Sequence, residues 1–484
     1  MKNGFIVMIY AFLLLGTNSE TNSHNYDSYS AVSTNTNLSG QTVESSTADQ
    51  SAVYITNSGI TIENSIIKKT SGDSSNTENS EFYGVNAAIL VQGGGVTITD
   101  GEISTAAKGA NAICATNSGT VTITGTTITS TGSSSARGLH ATYGGTITAT
   151  DVTISSTGGS CATLATDRGE GTVTCTECTL STAGSGSPLI YSTGSITVSK
   201  TSGTASGAQM VVVEGKNTAI VQDSSSLKCT GVGNRNNVDN CGIFLYQSMS
   251  GDADEGTSSF KCTSSTLEIE SSSSVYSSAP MFFITNTDSA IELNDCTFTY
   301  GSGTFLSATG TSEWGESGSN GGTVTLTLTN QEIEGDFIVD NISSLAITMV
   351  NSSIKGKINT DNQSSNVQVT LDADSKITLT GNSYISSLSN ADATGSNIDK
   401  GSYTLTVSGS TSSTSNPTSN ETSNPTSNPT SNPPSKPTST VSTNEDTENP
   451  SDNSTDPIIR INSAPNNLSS FGFIYSILMF LTVF

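Results

Sequence analysis

The sequence predicts an all-β chain: a parallel β-helix of about a dozen coils, followed by a disordered, extended Pro/Ser/Thr-rich stalk. Three observations carry this prediction. Apolar residues recur at relative positions 0, 2 and 7, as Val121, Ile123 and Ile128 do in "GTVTITGTTITSTG". Copies open at Val96, Val121, Ile147, Val173, Ile196 and Ile220, at intervals of 25, 26, 26, 23 and 24 residues. A second apolar block falls between copies, as in "NAAILV" (86–91), "PLIY" (188–191), "IFLY" (243–246) and "MFFI" (281–284).

Apolar residues at every second position describe strands with one buried face. Three short strands and three turns fill one period. A single coil cannot bury its inner face, so coils stack on a shared thin core. A β-sandwich also uses many short strands, but it does not require a constant period. Within a coil, Val121 and Ile123 point inward and Thr122 and Thr124 outward. The pairs Thr97/Thr99, Thr148/Thr150, Thr174/Thr176 and Thr197/Ser199 then stack into a hydroxyl ladder with ~4.8 Å between rungs. Threonine suits a solvated strand face, which already accounts for its choice there.

The flanks read as targeting and display segments. Residues 1–19 carry Lys2, an apolar run from Gly4 to Leu15, then small polar residues, which is the pattern of a secretory signal cut after Gly16 or Ser19. Residues 20–49 form a polar N-terminal segment, and 50–408 the β-helix. Residues 409–461 repeat "TSNP". Proline fixes φ and donates no hydrogen bond, so this segment is neither central strand nor helix. From 462 to 484, Asn462, Ser463 and Ala464 precede a polar spacer and an apolar tail from Phe471 to Phe484. That order is a glycosylphosphatidylinositol (GPI) signal with attachment at Asn462. It places the chain in the secretory pathway and then on the outer face of the plasma membrane. Glycosylation sequons begin at Asn37, Asn341, Asn351, Asn362, Asn420 and Asn453 in the part retained after such a cut.

The net charge of −25 excludes nucleic acid as a partner, since no basic stripe releases its counterions. Eight cysteines in a secreted chain suggest disulfides, with 105 full pairings. Cys175 sits at an inward core position, so buried free thiols are the alternative.

The repeat array resembles the right-handed parallel β-helix, or pectin-lyase-like, fold. "GIFLYQSMSGDADEG" (242–256) and "EWGESGSNGGTVTLT" (313–327) resemble segments of adhesin-like β-helix surface proteins of gut microbes and anaerobic protists. The resemblance implies display and recognition at a cell surface. It also raises a polysaccharide lyase or glycoside hydrolase. Pectinolytic hydrolases of this fold carry Gly-His-Gly and Arg-x-Lys motifs, and neither is present. His140 reads as a strand residue, and Arg235 with Asp239 as part of a turn. A passive structural coat is the third reading.

The best candidate site lies on loops. Three turns follow equivalent strands of successive coils: "QSMSGDADEGTSS" (247–259), "TNTDS" (285–289) and "SATGTSEWGESGSNGG" (307–322). They should share one edge and gather Tyr246, Asp252, Asp254, Glu255, Asn286, Asp288, Glu313, Trp314 and Glu316. Aromatic platforms edged by carboxylates and amides suit glycans. The acidic trio Asp252, Asp254 and Glu255 makes calcium the one cofactor to consider. The expected partners are glycans or surface proteins.

Overall fold

The computed structural model describes residues 22–233 and 239–409, which fall within one compact unit, Met1–Ser410. The signal segment, Arg235, the stalk beyond residue 409, Asn420, Asn453 and Asn462 lie outside the described residues.

The chain cycles repeatedly through three parallel sheets. Sheet 1 has 12 strands, from Ala31–Thr34 to Asp336–Val339. Sheet 2 has 14, from Leu38–Ser39 to Ser387–Asn390. Sheet 3 has 10, from Thr42–Ser45 to Thr297–Thr299. Beyond it, a separate four-stranded sheet runs from Glu332–Glu334 to Ile398–Asp399. Each strand pairs in parallel with its equivalent one coil away: Val121 stands opposite Val96 and Ile147, and Ile128 opposite Ile103 and Ile154. Residues 0, 2 and 7 of each copy feed one continuous core, in which Ile123, Ile128, Ile147 and Ile154 are fully buried.

The outward hydroxyl ladder forms in register. Thr97, Thr122, Thr148, Thr174 and Thr197 are successive partners, as are Thr99, Thr124, Thr150, Thr176 and Ser199.

Three features depart from the sequence reading. The β-helix starts at Ala31, inside the segment expected to precede it, because only Leu38 and Val43 mark its first coil as apolar and buried. The copy expected at Ile220 is displaced by one residue. Ala219 and Val221 pair with Ile196 and Val198 and face inward, while Ile220 is half-buried on the outer side. A one-residue slip exchanges the two faces of a strand, and here the bulkier residue is the misleading one. A short helix, Thr77–Tyr83, interrupts the repeats. Asn76 caps it by accepting from the Glu78 N–H, and Gly84 ends it at φ 71°. A side chain at Gly84 would also meet Cys114 Sγ at 2.4 Å, so both backbone and space demand glycine.

The bend that leads out of sheet 2, into sheet 3 and later into the four-stranded sheet, repeats one device. Asn64, Asp100, Asp151, Asp223, Asn330 and Asn351 each take a positive φ of 46–57°. Asn and Asp tolerate this left-handed conformation better than other residues with a Cβ. Beside this column, buried hydroxyls stitch coil to coil. Thr201 Oγ1 donates to Ser199 O at 2.9 Å and accepts from the Cys178 N–H; Ser352 Oγ donates to Val350 O at 2.8 Å and accepts from the Gln331 N–H.

Disulfides join Cys175 to Cys178 and Cys262 to Cys296. Cys114, Cys161, Cys229 and Cys241 are buried thiols. Both cysteine readings therefore apply, at different residues. Burial pushes the Cys161 thiol up to about 11 and those of Cys114 and Cys229 to about 12, which keeps them protonated.

Candidate functional site

Between its first and last strands, sheet 1 is largely buried on both faces, as apolar blocks such as Ile89–Gln92, Ile243–Tyr246 and Phe282–Thr285 require. Its outer face is roofed by four segments. The N-terminal stretch lays Tyr26 and Tyr29 against Tyr54, with Tyr26 OH donating to Tyr83 O at 2.7 Å. The short helix follows. The loop after Tyr246 and the loop carrying Trp314 complete the roof.

Those last two loops belong to the edge expected from the sequence. Strands Ile243–Tyr246, Phe282–Thr285 and Thr304–Ala308 are consecutive in sheet 1, with Tyr246 opposite Thr285 and Phe282 opposite Leu306. The loops they launch are tied together. Asn286 Nδ2 donates to Gln247 O at 2.8 Å. A Cβ on Gly315 (φ 70°) would lie 2.2 Å from Asn286 Oδ1, so the third loop rests directly on the second. Trp314, half-buried, meets the Tyr246 ring edge-on at 4.7 Å and joins a cluster of Val212, Phe244, Tyr246 and Phe283. Asn320 Nδ2 holds the loop by donating to Thr311 O at 2.6 Å and to Trp314 O.

The acidic residues of the same loops divide into two groups. Asp252 reaches Arg168 at 2.7 Å, and Asp254 reaches Lys216 at 2.9 Å. Lys216 also holds Glu170 at 2.7 Å. Two of the three carboxylates considered for calcium, Asp252 and Asp254, are therefore directed to cations of earlier coils. Among the described residues, no three of His, Cys, Asp and Glu are grouped to hold a metal. Glu255, Asp288 and Glu316 are exposed, and Glu313 is half-buried. The structure thus brings Tyr246, Asn286 and Trp314 together, pairs the half-buried Asp252 and the exposed Asp254 with cations along the roof, and leaves Glu255, Asp288 and Glu316 facing solvent.

A second polar group lies beneath the roof, and the sequence reading did not anticipate it. Arg137 Nη1 donates to Asp167 Oδ2 at 2.7 Å and faces His140 Nε2 at 2.8 Å. A guanidinium only donates, so His140 Nε2 accepts and the ring proton sits on Nδ1. Burial and the Arg137 cation push the His140 pKa well below the usual value, so the ring is neutral. Burial pushes the Asp167 carboxyl up to about 7, against the pull of Arg137. Further along, Tyr191 and Tyr246 both donate to Glu214 Oε2, at 2.5 and 2.7 Å. Burial raises the Glu214 pKa, while the hydroxyls of Ser248, Tyr191 and Tyr246 oppose the shift.

Arg168 connects the parts of the roof. Its guanidinium lies 4.0 Å from the centre of the Phe82 ring on the helix and also holds Asp252 on the loop. These polar residues carry a sequence signal only in retrospect. Asp167, Arg168 and Glu214 directly follow the apolar blocks "ATLAT" and "MVVV", at the mouth of the turn.

Chemically, the covered group is closed. His140 Nε2 is occupied by Arg137, and Asp167 and Glu214 are held by buried donors. The groups that reach the surface are the loop carboxylates Glu255, Asp288 and Glu316, one side of the half-buried Trp314 and the hydroxyl rows of sheets 2 and 3. No curated protein and no solved structure matches the chain. The family model for a right handed beta helix region matches residues 69–226, about a third of the 484 residues. With the parallel register of all three sheets, this makes the described residues a right-handed parallel β-helix, a fold that fits a surface or carbohydrate-interacting protein.

Proposed function

We propose that the chain is a GPI-anchored, adhesin-like cell-surface protein whose β-helix presents loops for recognition of glycans or of host and environmental surfaces. One observation carries the reading. Three consecutive coils send loops to one edge, where Asn286 ties them to each other and Glu255, Asp288 and Glu316 remain solvent-facing. A rigid scaffold with polar loops is how folds of this kind present a binding surface. Support for anchoring comes from the sequence: the leader, the Pro-rich stalk and the small-residue triplet at Asn462.

The chain has a single tryptophan, and it lies on this edge. Residues 20–409 are titrated with a panel of polysaccharides, with and without calcium, while Trp314 emission is followed. A saturable shift that disappears in Trp314→Phe but persists as binding by calorimetry supports the reading. Folded protein that neither shifts nor binds any member removes the loop edge as a glycan site and leaves protein-mediated adhesion or a passive coat.

A further inference from the structure

We propose that an N-linked glycan on Asn37 seals the open first coil of the β-helix and prevents two copies from pairing edge to edge through it. The inference rests on the secretory reading above.

The first coil is a bare edge. Strands Ala31–Thr34, Leu38–Ser39 and Thr42–Ser45 begin sheets 1, 2 and 3, and no described strand pairs with their outer side. Unpaired N–H and C=O groups on such edges template association with another chain. Proteins counter this with charge, proline or a cover. Between Ala31 and Ser45 the only charged residue is Glu44, and proline is absent. The first coil is also thin in apolar residues: among them Leu38 and Val43 alone are buried, and Val32 is 53% exposed. The N-terminal aromatic residues do not close this end, because Tyr26 and Tyr29 pack on the outer face of sheet 1 around Tyr54.

Asn37 stands at this edge, exposed, directly before Leu38–Ser39 and in the sequon Asn37-Leu38-Ser39. Its Oδ1 accepts from the Thr61 N–H of the second coil at 3.0 Å. That bond fixes the side chain on the edge and does not involve Nδ2, the atom that carries an N-glycan. At Asn351, by contrast, Nδ2 donates to Asn330 Oδ1 at 2.8 Å. The modification is a group transfer from a lipid-diphosphate-linked oligosaccharide. Nδ2 bonds the anomeric carbon and releases a proton as the bond from that carbon to the diphosphate breaks, and the lipid diphosphate leaves. A hydrated oligosaccharide on the edge keeps a second coil beyond hydrogen-bonding distance.

The test uses the full chain made in a secreting eukaryotic cell and solubilised in detergent. Site occupancy is read by glycopeptide mass spectrometry and particle mass by light scattering after gel filtration. Ser39→Ala removes the sequon but keeps Asn37 and its bond to Thr61. Ser39→Thr keeps the sequon, and Asn341→Gln removes a glycan elsewhere. Expected are an occupied Asn37, monomers for wild type, Ser39→Thr and Asn341→Gln, and a doubling or more of the protein mass for Ser39→Ala. Adding Val32→Lys to Ser39→Ala places a charge on the edge and returns the monomer. The inference is overturned if Asn37 is empty while Asn341 or Asn362 carries glycan, or if folded Ser39→Ala stays monomeric. Should no sequon be occupied, the secretory reading falls together with it.

Discussion

Arg168 is the residue on which the roof over sheet 1 depends, and its replacement gives a quantitative test. Its ion pair with Asp252 has both side chains 28% exposed, so solvent screening limits the contribution to about 1 kcal/mol. The guanidinium over Phe82 at 4.0 Å adds about 1 kcal/mol. Arg168→Met keeps most of the apolar stem and loses both contacts. The backbone bond from the Arg168 N–H to Asp167 Oδ1 survives the change. The loss of about 2 kcal/mol falls on local opening of the roof, because the core of inward residues is untouched. Each lost contact of about 1 kcal/mol corresponds to about 5-fold faster amide exchange in the segment it holds.

The assay is hydrogen exchange by mass spectrometry on residues 20–409. Arg168→Met should raise exchange in the helix Thr77–Tyr83 and in the loop 247–256 together. Asp252→Asn should raise it about 5-fold in the loop alone, since only the ion pair is lost. Phe82→Leu should raise it in the helix alone. Wild-type rates in both segments of Arg168→Met would refute the role assigned to Arg168. So would a uniform rise that includes the core strands Ile89–Gln92 and Ile113–Thr116, because the effect would then be global.

Two further outcomes follow from buried polar groups. Lys69 is fully buried at an inward position occupied by Ser45 and Thr105 in neighbouring coils, and its Nζ donates to Gln50 O at 2.9 Å and to Thr47 O. Burial pulls its pKa from 10.5 down to about 8. Between those values the unfolded chain binds more protons than the folded one, so stability rises with pH through the window and is lost again as pH falls through 8. The drop corresponds to about 3 kcal/mol. Urea unfolding between pH 7 and 10.5 should show this rise in wild type and not in Lys69→Met; parallel profiles would refute it. Tyr246→Phe removes one of the two phenols that donate to Glu214 but keeps the ring against Trp314. It should cost about 1.5–3 kcal/mol, measured by the urea midpoint, with little change in Trp314 emission.

The architecture was legible because its cause is local. Alternation of Val, Ile and Thr sets which side chains face inward, and the constant period sets the stacking. Even the errors have local causes. Ile220 outranks Ala219 in hydrophobicity yet stands on the outer side, and the first coil offers only Leu38 and Val43 as markers. A further local signal went unread: Asp100, Asp151 and Asp223 each fall four residues after the opening inward residue, Val96, Ile147 and Ala219, where the bend requires a left-handed conformation. The loop edge was half legible. Equivalent strands place their turns together whatever the turns contain, but the partner of Asp252 lies 84 residues upstream at Arg168, and no local pattern reports it.

The roof also decides which surfaces are available for recognition. The apolar blocks of sheet 1 run unbroken, so that sheet must be covered on its outer side, and Tyr26, Phe82, Arg168 and Trp314 all contribute to its cover. Sheets 2 and 3 alternate, and their outward residues through the central coils are threonine and serine with few charges. A partner approaching the β-helix therefore meets uncharged hydroxyl rows on two sides. Carboxylates and an aromatic ring come together where the roofing loops rise from sheet 1, while later coils of sheets 2 and 3 carry charged pairs such as Lys228 with Glu268 and Lys261 with Glu292. Specificity requires groups that differ from coil to coil, and the hydroxyl rows repeat. Under the proposed function, discrimination between partners falls to the loop edge carrying Asn286, Trp314 and Glu316. The regular faces supply a uniform surface, and Arg168 sets how firmly the loop carrying Asp252 is held.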